Sequence, residues 1–282
     1  MAGSDSTEAP AIRVRQLVKR FGERAVLDGV TFDVRPGETM VVMGGSGCGK
    51  STLLKHMIGA MTPDSGHVEL LGQNLSELDE SGMDQVRKKF GILFQSGALF
   101  NSMTVGQNVA LPLREHTTQD DEIIEIVVKM KLELVGLRHA ADLMPAEISG
   151  GMKKRAGLAR AMALDPKVLF YDEPSAGLDP VTSAEIDQLM IDLSRKLHVT
   201  SVVVTHEMDS AFRIADRMVM LDKGKVLRVG TRDEFAAIRD SAPSGETAND
   251  VIRQFLRGES EGPITRRRMD SGYAEDILRI AT

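Results

Sequence analysis

The stretch GGSGCGKST at residues 44–52 restricts this chain more than any other. It matches G-x-x-x-x-G-K-[ST], and its setting supports the match. The apolar run TMVVM (residues 39–43) precedes it and the helical pattern STLLKHMIGAM follows. A continuous apolar run of that length reads as a strand buried on both faces. The glycines let the backbone curl, so that Gly44, Gly45, Ser46, Gly47, Cys48 and Gly49 can turn their N–H groups inward as an anion nest. The following helix adds its positive dipole end, worth about 0.3–1 kcal/mol. Lys50 is then placed for the β- and γ-phosphates of a nucleotide, the Ser51 hydroxyl for Mg2+, and Thr52 completes the turn. Cys48 fits as a small residue. With no second cysteine in the chain, a redox switch has no resolving partner.

Around this loop the pattern predicts an α/β fold with a mainly parallel core sheet. VTFDV alternates, with Val30, Phe32 and Val34 on one side, and predicts an antiparallel β flank. GHVELLGQNL, FGILFQ, VLFYDEP and TSVVVTH read as further strands, and MVMLDKGKVLRVG as a hairpin turning at residues 222–224. Helices are expected at residues 117–137, with a Thr117 or Thr118 cap, and over VTSAEIDQLMIDLSRKLH and MDSAFRIADR. Thr231 with Glu234 forms a capping box. The pattern breaks at DSAPSGETAND. The expected organisation is a flexible N-terminus (1–10), a main domain (11–240) and a C-terminal extension (241–282). In the extension, TANDVIRQFLRG and GYAEDILRIA read as short helices, and residues 265–268 form a basic cluster.

Two strand ends carry candidate chemistry. VLFYDEP delivers Asp172 and Glu173 to the carboxyl edge of an open sheet, where ligands bind. Asp172 suits Mg2+, and Glu173 suits orientation or deprotonation of an attacking water. TSVVVTH delivers His206 to the same edge, for a γ-phosphate or that water, and Gln95 closes FGILFQ with a neutral carbonyl for metal or water. A second anion pocket is written in EISGGMKKRAGLARAMALDP, where a serine and two glycines open a basic helix.

Taken in order, GGSGCGKST, Gln95, ISGGM, VLFYDEP, SAGLD and His206 resemble the ATPase subunit of ABC transporters over about residues 12–240. The resemblance implies ATP and Mg2+ as ligands and a P-loop ABC-type fold with a helical signature subdomain at about residues 96–163. It also implies two identical subunits packed head to tail. Ser149, Gly150 and Gly151 would then hold the γ-phosphate bound at the partner's loop, Asp179 would cross the interface, and Phe21 would stack on adenine. Catalysis would fall to Glu173, His206 and Lys50, and the metal to Ser51, Gln95 and Asp172. Met152 departs from the glutamine usual in that signature, and a thioether forms no strong hydrogen bond.

ISGGMKKRAGLARAMALDP, FQSGALFNSMTVGQNVALPLRE and VIRQFLRGESEGP further resemble the ATPase of MCE-associated (Mla-type) phospholipid transport systems. That branch implies an integral-membrane permease dimer, an MCE-domain lipid-binding protein and, in some systems, a STAS-domain protein as partners. It implies a peripheral place on the cytoplasmic face of the inner membrane, and a tail that can reach the neighbouring ATPase. Leu99, Phe100, Met103, Val105, Val109, Leu111 and Leu113 are expected to line a groove for a permease helix. The rivals are an importer ATPase for another small solute and a non-transport ABC ATPase. A net charge of −6 argues against nucleic acid as the partner.

Overall fold

A computed structural model of the chain describes residues 9–245 and 248–269. The expectations for the N-terminus at 1–8 and for GYAEDILRIA lie outside these residues.

The chain opens with an antiparallel pair, β1 (Ile12–Phe21) and β2 (Arg24–Val34). Then come β3 (Thr39–Gly44), α1 (Lys50–Met57), β4 (Ser65–Leu70), β5 (Gln73–Asn74), α2 (Glu80–Arg87) and β6 (Phe90–Leu93). Three helices follow: α3 (Val105–His116), α4 (Asp121–Leu134) and α5 (Gly150–Ala161). The chain returns through β7 (Val168–Asp172), α6 (Pro180–Leu197), β8 (Thr200–Val204), α7 (Met208–Ile214), β9 (Arg217–Asp222) and β10 (Lys225–Thr231). The described residues close with α8 (Arg232–Asp240), α9 (Ala248–Arg257) and α10 (Pro263–Met269).

Two sheets result. The flank is antiparallel, in the order β2-β1-β4-β5, and the core sheet runs β10-β9-β3-β8-β7-β6. In the core sheet β9, β3, β8, β7 and β6 are parallel, and only β10 runs against its neighbour. Strand alternation divides the core between its two faces. Met40, Val42, Phe170, Val202 and Leu221 face the flank and α1, joining Ile12, Leu17, Leu27 and Leu53. Val41, Met43, Leu169, Tyr171 and Val203 face the helices, joining Val109, Leu132, Leu158 and Ile186. That double burial is why these strands read as unbroken apolar runs.

Local chemistry explains several helix starts. Thr231 and Glu234 form the expected capping box at α8. Thr104 and Gln107 form another at α3, inside the segment read as a docking groove. That reading needs correction. Val105, Val109 and Leu113 are buried on the core side of α3, while Phe100 is half exposed. α4 is not capped by Thr117 or Thr118. Its N-cap is Asp120, and the Thr117 hydroxyl instead donates to the Leu113 carbonyl at the end of α3.

The break at residue 241 is a connector of a few residues. Beyond it, α9 buries Val251, Ile252 and Leu256 in the same core as α8. No helix among the described residues is long and apolar enough to cross a membrane.

Candidate functional site

The parallel strands gather the candidate residues. β3, β8, β7 and β6 lie side by side, and each carries one sequence motif just past its carboxyl end. The phosphate loop follows β3, His206 follows β8, Asp172 and Glu173 end β7, and Gln95 lies two residues beyond β6. Four motifs spread over some 160 residues of chain thus meet on one edge.

The loop needs its glycines. Gly44 has φ +149° and Gly49 φ +110°. A Cβ on Gly44 would lie 2.3 Å from the Leu221 carbonyl oxygen, and one on Gly49 2.8 Å from a Leu27 methyl. Side chains are therefore excluded there by conformation and by space. No side chain caps the start of α1, so its first N–H groups remain for an anion. Lys50 Nζ donates to the carbonyls of Gly44 (2.7 Å) and Gly45 (3.2 Å), which curls the ammonium over the loop. Gly45 is partly exposed, Ser46, Gly47 and Ser51 are exposed, and Thr52 is half-buried. Cys48 is buried against Gly44, and burial pushes its thiol pKa up. It is a packing residue rather than a reactive thiolate.

Asp172 is half-buried. Burial pushes its carboxyl pKa up and the Glu173 charge adds to this, against the pull of Lys154, Lys55 and Lys50. Glu173 leaves the strand with φ +50°, a left-handed conformation that costs a non-glycine residue energy. Its side chain is only 14 % exposed, and Oε1 lies 2.8 Å from His206 Nδ1. The His206 backbone N–H donates to Oε2 at 3.3 Å. From the sequence, His206 suits a γ-phosphate or the water that Glu173 would orient. The structure joins them directly, with the imidazole 62 % exposed on the outer side. Gln95 is exposed, and so is Phe21 (51 %) at the tip of the β1–β2 hairpin, with Lys19 Nζ 5.9 Å from its ring centroid.

The second glycine turn is built differently. Ser149 is an ordinary N-cap of α5, its hydroxyl accepting from the Met152 N–H at 3.2 Å. Gly150 is exposed, and a Cβ on Gly151 would lie 2.6 Å from the Thr182 methyl. Thr182 is itself held by Asp179, which caps α6 by accepting from the Val181 and Thr182 N–H groups, both at 3.0 Å. Met152 packs its thioether against the helical core, so an apolar contact replaces the polar one. Among the described residues no hydrogen bond or ion pair joins residues 149–151 to the phosphate loop of the same chain.

Several contributors escaped the sequence reading. Buried Asn108 donates to the Phe100, Met103 and Thr104 carbonyls and accepts from the Phe100 N–H. Arg160 donates to the Gly97 and Ala98 carbonyls, so α3 and α5 together hold the loop that carries Gln95. Lys154 on α5 is buried and donates to the Glu173 carbonyl at 3.1 Å. In the sequence it belongs only to the basic helix behind the second anion pocket. A cavity of about 560 Å³ beside the phosphate loop is closed on one side by Phe255 of α9 and Ile264 of α10, so the extension reaches that loop. A groove of about 530 Å³ runs between β6 and α3, lined by Phe94, Phe100, Leu111, Pro112 and Leu164.

Comparison with known proteins agrees with this geometry. The family described as ABC transporter matches residues 27–176. The Haemophilus influenzae intermembrane phospholipid transport system ATP-binding protein MlaF is 40% identical over 267 residues, 95% of this chain and 98% of that protein. The probable ribonucleotide transport ATP-binding protein mkl of Mycobacterium leprae is 41% identical over 268 residues, 94% of this chain and 75% of that one. Among solved structures, a dimeric ATP-binding cassette in a post-hydrolysis state with ADP and Pi superposes with a TM-score of 0.72. It is 30% identical and covers 78% of this chain and 98% of its own. The chain therefore belongs to the ABC transporter ATP-binding family and is an ATPase of that kind.

Proposed function

We propose that this chain is the ATP-hydrolysing subunit of a transporter that moves phospholipid between membranes. The observation that carries this reading is the match to MlaF over 95% of this chain and 98% of that protein, too long to leave the C-terminal extension out entirely. The similarity to mkl supports a second cargo, a ribonucleotide, but it leaves a quarter of that protein unmatched.

In this reading two copies pack head to tail. The phosphate loop of one, with Lys50, holds the triphosphate while Phe21 stacks on the base. Ser149, Gly150 and Gly151 of the other close over the γ-phosphate, and Asp179 lies along the interface. A nucleotide held between two copies stabilises their association by mass action, and its hydrolysis releases them. Ser51, Gln95 and Asp172 fit Mg2+. They offer one hydroxyl, one amide carbonyl and one carboxylate, all oxygen donors and few in number, as suits an ion that keeps several waters. Mg2+ supplies neutralisation of charge on the β- and γ-phosphates. Glu173 takes a proton from the attacking water as its oxygen bonds to the γ-phosphorus and the bond to the β-phosphate oxygen breaks. His206 fixes the carboxylate through Oε1.

The groove lined by Phe94, Phe100 and Leu111 would receive a short helix of a permease dimer. The permease would in turn act with an MCE-domain lipid-binding protein, and the ATPase would sit peripherally on the cytoplasmic face of the inner membrane. Ile123, Ile126 and Met130 are exposed along α4 and offer a face for a small STAS-domain subunit.

Purification from membranes in mild detergent tests the cargo. A bound polytopic permease with phospholipid is expected, together with ATPase activity that rises when the lipid-binding partner is added. A complex that carries nucleotides as cargo and no phospholipid would favour the second reading.

A further inference from the structure

Lys154 is difficult to explain as a stabilising residue. It lies in the middle of α5, only 4 % exposed, with burial lowering its pKa. An ammonium carries three donors, and the hydrogen bond found for this one goes to a single atom, the Glu173 carbonyl oxygen at 3.1 Å. A methionine or leucine would fill the same place without the desolvation cost of a buried charge.

The atom it holds belongs to the most constrained residue of the site. Glu173 has left-handed backbone geometry, which persists in a non-glycine residue only when its surroundings impose it. Its N–H donates to the Val204 carbonyl at 2.9 Å, and its carbonyl also accepts from the Ala176 N–H at 3.2 Å. Lys154 fills the remaining lone pair of that carbonyl and so fixes the peptide plane that follows the carboxylate. Its position on α5 then matters. Lys154 lies five residues from Ser149, about 7 Å along a helix. That helix is rigid at its start, because Ser149 caps it and Gly151 is packed on Thr182. A shift of the Ser149–Gly151 turn is thus carried by a stiff lever to the Glu173 backbone.

We propose that Lys154 is a positioning residue that couples the signature turn of α5 to the carboxylate of Glu173 in its own subunit. Through it, engagement of the partner's nucleotide at one site sets the geometry of hydrolysis at the other. The inference rests on the head-to-tail reading above and deepens it. Each subunit gives its signature turn to one nucleotide and its Glu173 to the other, so Lys154 links the two sites within one chain.

Two substitutions in the full-length protein test this. Lys154→Met removes the donor and the charge at similar length, and Lys154→Gln keeps an amide donor one atom shorter. ATP hydrolysis by the parental protein should be cooperative, with a Hill coefficient above one. Lys154→Met should lower kcat by about 10- to 100-fold, leave KM for ATP within about twofold and bring the Hill coefficient to one. Its melting temperature should change little, because the relieved desolvation cost offsets the lost attraction to Glu207, Glu173 and Asp172. Lys154→Gln should recover most of the rate and the cooperativity. The coupling is overturned if Lys154→Met retains parental kcat and cooperativity, or if Lys154→Gln is as impaired as Lys154→Met. It is also overturned if KM rises in proportion to the lost rate. ATP-driven dimerisation, followed in Glu173→Gln with and without Lys154→Met, separates this from the reading beneath it. No dimer in either brings down the head-to-tail site and the coupling with it. A normal dimer beside unchanged turnover brings down the coupling alone.

Discussion

The chain has two glycine turns that open helices, and they are built on different principles. At the phosphate loop the glycines are conformational: Gly44 and Gly49 adopt positive φ, and a Cβ on either would strike Leu221 or Leu27. Before α5 neither Gly150 nor Gly151 has a positive φ, and Ser149 caps the helix in the ordinary way. Gly151 is needed because α6 lies against it at Thr182. The first turn curls its own backbone into a nest that fits an anion. The second is a firm face locked to the core from behind, suited to pressing on an anion held elsewhere. A glycine pair alone does not distinguish these uses; the φ values and the neighbours of the missing Cβ do.

The largest effects should come from the first region. Lys50→Ala removes the ammonium that curls over the loop and should weaken ATP binding itself, seen by equilibrium nucleotide titration. Glu173→Gln should keep that binding while hydrolysis falls by about 10²- to 10³-fold. Parental hydrolysis by Glu173→Gln would remove the carboxylate from its assigned role. The second region should respond through packing. Gly151→Ala sets a methyl against Thr182, and overpacking of this kind costs about 1–3 kcal/mol, measured by thermal unfolding. Thr182→Ser deletes the opposing methyl and keeps the hydroxyl on Asp179, so the double variant should regain the lost stability. Failure of that rescue would show that Gly151 is required for another reason.

Two smaller effects sharpen the picture. Asp179→Ala removes the α6 cap and should lower the melting temperature slightly. Asp64 braces the strand that ends in Phe21. It accepts from the Arg20 N–H at 2.6 Å and from Lys19 Nζ at 3.1 Å, which holds its carboxyl below the ordinary carboxylate range. A depressed acid stabilises the fold above its unfolded pKa, and the contribution is lost as pH falls through the folded value. Asp64→Asn should therefore lower stability slightly at neutral pH and make less difference in strong acid, as melts across the acid range would show.

Much of this was legible from residue order. The run TMVVM, the loop after it and the alternation in VTFDV specified strand, nest and flank, because period and glycine placement are local properties. The capping box at Thr231 is legible in the sequence, and the one at Thr104 carries the same signal inside an apolar run that resembles a groove. The positions of Lys154 and Arg160 were not legible. A basic helix normally turns its charges to solvent, and only tertiary packing shows that these two reach inward to backbone carbonyls. The direct Glu173–His206 contact was hidden for a similar reason, since it depends on β7 and β8 being neighbours.

The proposed site needs both turns to serve one nucleotide from two copies of the chain, and sedimentation of the Glu173→Gln protein with ATP tests that most directly. Adding Ser149→Glu places a carboxylate where the partner's γ-phosphate should lie. The account predicts ATP-driven dimers for Glu173→Gln alone. For the double variant it predicts monomers that still bind ATP within about threefold of the single one. Dimers that persist in the double variant, or a monomer that loses ATP as Lys50→Ala does, would contradict it.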